Sequence, residues 1–239
     1  MRIAEIVPVS CLSYIKDKNY HMCLAQLVLK NKEYADFYKK LAEEDKYVIL
    51  DNGAAERESL SFEELFRAYK IIQPREIILP DVLFNRQETA ARSFLFFQDY
   101  MKSTNCKIMI VPQARTLREW ISAVELMLKD IPADTVGVPK WLGMKNSFYR
   151  VTASGYLFEH DVEVHLLGCS ENPEILKLCE RINPKVRGCD SAYSYLCAKA
   201  GSNEITQNTG RPEETIDFLN DPKIETLPKL MRDLEEVVK

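Results

Sequence analysis

The chain predicts an α/β protein folded as a (β/α)8 TIM-type barrel. Eight short apolar runs rich in Ile and Val alternate with longer segments of helical spacing, the pattern of a parallel sheet covered by helices. All eight fall between residues 3 and 191, compact enough for a closed barrel. An open doubly wound sheet has the same alternation and is the alternative. The barrel is expected over residues 1–200, with residues 201–239 as a helical extension packed on it.

The expected strands, in order, are IAEIVPV (3–9), HMCLAQLV (21–28), YVILD (47–51), EIILPD (76–81), KIMIVPQ (107–113), TVGVPK (135–140), EVHLLG (163–168) and KVRGCDS (185–191). Pro8 interrupts the first, and the connection from it to the second is too short for a helix. The segment LSFEELFRAYKII (60–72) carries apolar residues at 62, 65, 66 and 69, one helical stripe. Ser61 with Glu64 forms the pattern of a capping box at its start. RQETAARSFLFFQDYMK (86–102), LREWISAVELMLK (117–129) and NPEILKLCERI (172–182) have the same spacing. A further helix is expected at AYSYLCAKA (192–200). The polar stretch GSNEITQNTGRP then leads to two short acidic helices, and Arg211 within it reads as part of a solvated loop.

Composition narrows the function classes. No apolar run approaches the ~20 residues of a membrane helix. The opening MRIAEIVPVS lacks a signal-peptide profile, so a cytoplasmic protein without a membrane partner is expected. Seven cysteines at 11, 23, 106, 169, 179, 189 and 197 contain no CxxC pair, which points to reduced, partly buried thiols. A zinc site from Cys169, Cys179 and Cys189 would need three ligands from separate turns and is disfavoured; no metal or other cofactor is expected. A net charge of −4 argues against a generally basic nucleic-acid coat, but not against a nucleic-acid enzyme with a local basic patch.

In a barrel of this class the active site lies at the C-terminal strand ends. Here those ends carry Asp51, Asp81, Gln113, Gly137 followed by Lys140, Gly168, and Asp190. An aspartate after a strand is often only a helix cap. Three of them plus Gln113 on one rim are harder to explain that way, because caps need no shared face. His165, two residues inside its strand, reads as a hydrogen-bonded core histidine. Converging carboxylates without a metal motif suit nucleophilic attack at a glycosidic carbon, or recognition of a polar heterocycle through its N–H edge. No Walker A run and no GxGxxG follows a strand.

In this order the motifs resemble the tRNA-guanine transglycosylase superfamily, whose members exchange guanine in nucleic acid for a 7-deazaguanine. The family's Asp-Ser-Gly-Gly-aromatic-Gln motif is similar to Asp51-Asn52-Gly53-Ala54-Ala55-Glu56, and its Asn-Thr-Tyr-His-Leu segment to Asn19-Tyr20-His21-Met22. Its base-recognising aspartate falls on Asp81, its Gln-Gly strand end on Gln113, and its Gly-Gly-Leu turn near Gly137-Val138-Pro139. Its Leu-Met-Gly end matches Leu166-Leu167-Gly168, and its Gly-Ile-Asp-x-x-Asp end partly matches Gly188-Cys189-Asp190. Each motif alone is weak; seven in order are moderately specific.

The resemblance implies a barrel pentosyltransferase. Asp190 would be the nucleophile and Asp51 the proton carrier. Asp81, Gln113, Gly53, Glu56 and the backbone at Gly137 and Gly168 would surround the base. Lys140, Lys145 and Arg150, flanking WLGMKNSFYR, would meet phosphates, with a solvated charged loop as the competing reading. The chain departs from the family in three ways. Tyr193 stands where the family's usual nucleophilic aspartate would be, Glu56 replaces its glutamine, and its Cys-x-Cys-x-x-Cys…His zinc site is absent. Most of the C-terminal region that holds tRNA and builds the family's dimer is missing too. The reduced form resembles the phage and bacterial branch acting on DNA, so DNA is favoured over tRNA as partner, with a homodimer or partner subunit left open. Two other classes stay open. One is a different barrel enzyme, such as a glycosidase or an aldolase using Lys140. The other is a barrel that binds a modified base without catalysis.

Overall fold

The computed structural model describes residues 1–54, 60–169, 173–205 and 216–238. Eight strands form one all-parallel sheet: β1 (Arg2–Glu5), β2 (Tyr20–Leu24), β3 (Tyr47–Asp51), β4 (Glu76–Ile78), β5 (Lys107–Ile110), β6 (Thr135–Val138), β7 (Glu163–Leu166) and β8 (Val186–Ser191). Hydrogen bonding runs in the order β1-β8-β7-β6-β5-β4-β3-β2. β1 also packs beside β2, so the sheet curls into a nearly closed barrel.

Helices alternate with the strands. α1 (Ala25–Lys30) and α2 (Lys32–Glu43) follow β2, and α3 (Phe62–Ile72) follows β3. α4 (Arg86–Phe96), widened at its end into a π turn (Phe97–Met101), follows β4, and α5 (Leu117–Asp130) follows β5. α6 (Lys140–Lys145) and α7 (Phe148–Phe158) follow β6, and α8 (Pro173–Ile182) follows β7. α9 (Tyr193–Lys199) and α10 (Leu227–Val238) come after β8. The predicted fold class is thus the one observed.

Period-two alternation sorts each strand into two faces. Val48, Leu50, Ile108, Ile110, Val136 and Val138 point outward into the apolar layer beneath the helices. Ala4, Met22, Ile49, Ile78, Met109 and Val111 point inward and fill the barrel's middle. The foot is ionic instead. Arg187 pairs with Glu76 and with Glu163, the latter at 3.0 Å. Lys107 reaches Glu163 at 3.1 Å, and the Thr135 hydroxyl donates to Glu76 at 2.6 Å. Burying Glu76 is tolerable only because those partners are in place.

Three expectations need correction. The run HMCLAQLV is not one strand: its second half is α1. Leu27 and Val28 bury together on a helical face, and the Leu24 N–H turns to the Tyr34 hydroxyl at 3.0 Å. IAEIVPV shortens to β1, since Pro8 begins a 3-10 turn (Val9–Tyr14) that replaces a crossover helix. Helices α2, α6 and α7 were not among those predicted. α2 buries Tyr34, Ala35, Tyr38 and Leu41 on one stripe otherwise rich in Lys and Glu. The expected capping box is present, with Glu64 N donating to Ser61 Oγ at 3.1 Å and Ser61 N to Glu64 Oε2 at 2.9 Å.

Of the C-terminal extension, α10 buries Leu227, Leu230, Met231 and Leu234 and packs on α9, α8 and β1. Residues 206–215, Arg211 among them, lie outside the described residues.

The foot makes an asymmetric prediction. Glu76→Leu strands the buried Arg187 guanidinium and should cost about 3–5 kcal/mol in urea unfolding. Glu163→Ala, at a part-exposed carboxylate, should cost about 1 kcal/mol or less. Equal losses would refute this account of the foot.

Candidate functional site at the barrel mouth

Three neighbouring strands end just before a proline: Pro80 after β4, Pro112 after β5 and Pro139 after β6. Proline has no N–H to continue a ladder, so the chain leaves the sheet there. The next residue in each case is a candidate: Asp81, Gln113 and Lys140.

Asp81 and Gln113 form one unit with Asn52. The Asn52 side-chain amide donates to Asp81 Oδ1 at 2.7 Å, and that of Gln113 to Asp81 Oδ2 at 2.6 Å. Asn52 also donates to the Leu79 carbonyl at 2.7 Å and accepts from Ala54 N at 2.8 Å, which fixes its amide orientation. Gln113 Oε1 accepts from Phe84 N at 3.4 Å. Burial pushes the Asp81 carboxyl up to about 6, against the lowering effect of the two amide donors.

Asp190, on β8, is held from β7. Its Oδ1 accepts from Gly168 N at 2.9 Å and lies 3.1 Å from His165 Nε2. The His165 Nδ1 lies 2.7 Å from the Tyr20 hydroxyl. A carboxylate cannot donate, so Nε2 carries the proton, Nδ1 is the acceptor, and Tyr20 donates to it. Burial lowers the His165 pKa and raises that of Tyr20, so the ring and the phenol are both neutral. Gly168, at φ +68°, aims its N–H at Asp190, while its carbonyl accepts from Arg150 Nη1 at 3.0 Å. A side chain at Gly168 would strain the backbone and press on the stem of Lys140.

Asp51 ends β3 half-buried and accepts from Asn52 N at 2.9 Å. Gly53 follows at φ +79°, where a glycine is needed for the turn. Glu56 lies outside the described residues, as does Ala55.

None of the three aspartates caps the helix after its strand. Ser61 caps α3 and Asn85 caps α4, while α9 begins at Ala192 with no side-chain cap. That removes the ordinary explanation for an acid at a strand end.

Two predicted site residues lie elsewhere. Arg150 is wholly buried, its Nη2 donating to the Leu167 carbonyl at 3.0 Å and the Val138 carbonyl at 3.3 Å. It fastens the β6 and β7 ends together and does not meet phosphates. Gly137 sits below the rim, where an added Cβ would fall 2.9 Å from Val111 and 3.0 Å from Leu167 side-chain atoms. Its lack of a side chain serves interior packing. Lys140 stays at the rim and Lys145 is exposed on α6. Asn52 and Tyr20 were not singled out, though Tyr20 faces inward by the same alternation that places Met22.

Among the described residues no His, Cys, Asp or Glu group is placed to hold a metal ion, and Cys169, Cys179 and Cys189 are buried thiols. No protein-family model matches the chain, and no curated protein matches it either. Fold and site together define a (β/α)8 barrel with a carboxylate-lined mouth.

The tautomer is directly measurable. Nitrogen-15 NMR of His165 should show a neutral ring protonated at Nε2, with no titration near the usual histidine value of about 6.5. Tyr20→Phe should keep the ring protonated at Nε2, which Asp190 still accepts from, and shift the Nδ1 resonance as its donor is lost. A His165 that titrates normally would refute the assignment.

Proposed function

We propose that this barrel is a base-exchanging transglycosylase that replaces guanine in nucleic acid, DNA before tRNA, by a 7-deazaguanine. The observation that carries the reading is the contrast between two carboxylates at the mouth. Asp190 receives two N–H donors on one oxygen, from Gly168 and His165. Asp81 is half-buried between two side-chain amides, and desolvation pushes its carboxyl up to about 6. Carboxyl groups in such different surroundings are suited to different tasks.

The target nucleotide is flipped out of its stack, at a cost of a few kcal/mol. Asp81 accepts from the guanine N1–H and amino group, and Gln113 steadies Asp81. The Asp190 carboxylate attacks C1′ as the C1′–N9 bond breaks, and guanine departs with that electron pair and takes up a proton. Asp51 gives that proton and recovers one from the incoming base. The incoming nitrogen then displaces Asp190, so two inversions retain configuration. Lys140 and Lys145 would meet phosphates of the flipped strand.

A second reading rests on Tyr193, which is buried at the start of α9 where the resembled family carries its usual nucleophile. It makes the chain a binder of modified bases that does not exchange them.

Folded protein incubated with DNA or tRNA and labelled 7-deazaguanine should incorporate label into one of them. Asp190→Asn should lower the rate by at least about 10³-fold. The rate should also fall about tenfold per unit below pH 6. Asp81 ionises only above about 6, and its protonated form loses an acceptor that the base requires. No incorporation into either polymer would overturn the enzyme, and tight base binding without exchange would establish the binder.

A further inference from the structure

Beside the mouth, the β4–α4 loop and α6 form an aromatic shelf. Phe84 is 41% exposed, and its ring lies 5.9 Å from that of Trp141 between centroids. The Lys145 ammonium sits 5.5 Å from the Trp141 ring, and its head donates to the Arg115 carbonyl. Arg115 and Arg118 are both exposed at the start of the neighbouring α5 segment. Met144 and Phe148, 66% and 59% exposed, continue the apolar surface along α6 and into α7.

Phe84 is the unusual member. Its φ is +60°, a left-handed conformation that costs a large side chain roughly 1 kcal/mol or more and that glycine adopts freely. A phenylalanine kept both strained and exposed is not explained by folding. Its own N–H contacts Gln113, which in turn holds Asp81. The strained ring is therefore tied to the pair that would read the base.

We propose that Phe84, backed by the buried Trp141 ring tilted 58° against it, is a stacking platform for the unpaired bases flanking the target nucleotide, with Lys145, Arg115 and Arg118 drawing in their phosphates. An exposed aromatic ring beside cations is the chemistry of single-strand recognition. An overall charge of −4 makes this local cationic rim the more specific feature. Besides Asp81, held by Asn52 and Gln113, the acids nearest in sequence, Glu88 and Glu119, are engaged in the first turns of α4 and α5. The proposal rests on the nucleic-acid reading but not on the exchange chemistry.

The test uses a short fluorescein-labelled single strand, in deoxy and ribo forms, titrated into the full chain. Of the two tryptophans, Trp120 is wholly buried in α5 and Trp141, 8% exposed, lies against Phe84, so a change in tryptophan emission on binding reports the Phe84–Trp141 contact. Phe84→Gly should weaken binding about tenfold, and Lys145→Ala should reduce the salt slope by about one. Phe84→Gly should also keep or raise the thermal midpoint, because glycine relieves the left-handed backbone. A merely structural Phe84 would give the opposite pair: a lower midpoint and unchanged affinity. That result overturns the proposal, as does a wild type that binds neither strand or that instead buries the shelf in a dimer. Strand binding without base exchange leaves the shelf standing and removes the transglycosylase. Exchange at equal rates in wild type and Phe84→Gly removes the shelf alone.

Discussion

A nearly closed ring of eight parallel strands forces every second residue into one narrow interior. Nothing polar can stand there without a partner. This chain satisfies that constraint in layers. Arg187, Glu76, Glu163 and Lys107 neutralise one another at the foot, and Ile49, Ile78 and Met109 fill the middle. Tyr20 and His165 cross that middle as a neutral hydrogen-bonded pair and end on Asp190. The polar groups at the mouth are therefore oriented by the interior beneath them. Asp190 receives its proton donor from a ring whose other nitrogen is held by a phenol two strands away.

The strand pattern was legible because inward and outward faces are both apolar in the middle of the barrel, so the runs read as continuous. β3 was placed at its observed residues, and the other true strands began within a residue of their expected starts. β8 also ended where expected, at Ser191, whereas β4, β5 and β6 stopped short of their expected ends because Pro80, Pro112 and Pro139 end the ladder before the rim residue is reached. α1 was hidden because AQLVLK is as apolar as a strand and only its contacts make it helical. At the site, acids at strand ends could be picked out by position alone. Asn52 could not, because its role is a pair of bonds to residues 27 and 29 positions away. Arg150 misled for the converse reason. A cation beside other cations reads as surface, and only the three carbonyls around it reveal why it is buried.

The same layering bears on which acid can act as a nucleophile. The foot carries Arg2, Arg187 and Lys107 against Glu76 and Glu163, a surplus of one positive charge. Arg187 precedes Asp190 by three residues, about 10 Å along a strand at ~3.3 Å per residue. At an effective dielectric near 20, a unit charge at that distance is worth about 2 kcal/mol. The neutral Tyr20–His165 pair between them neither cancels that field nor contributes a competing cation. Asp190 thus has two N–H donors on one oxygen and a cationic foot below. Asp81 has burial working against its charge. If one acid at this mouth attacks carbon while another reads the base, the electrostatics assign attack to Asp190 and recognition to Asp81.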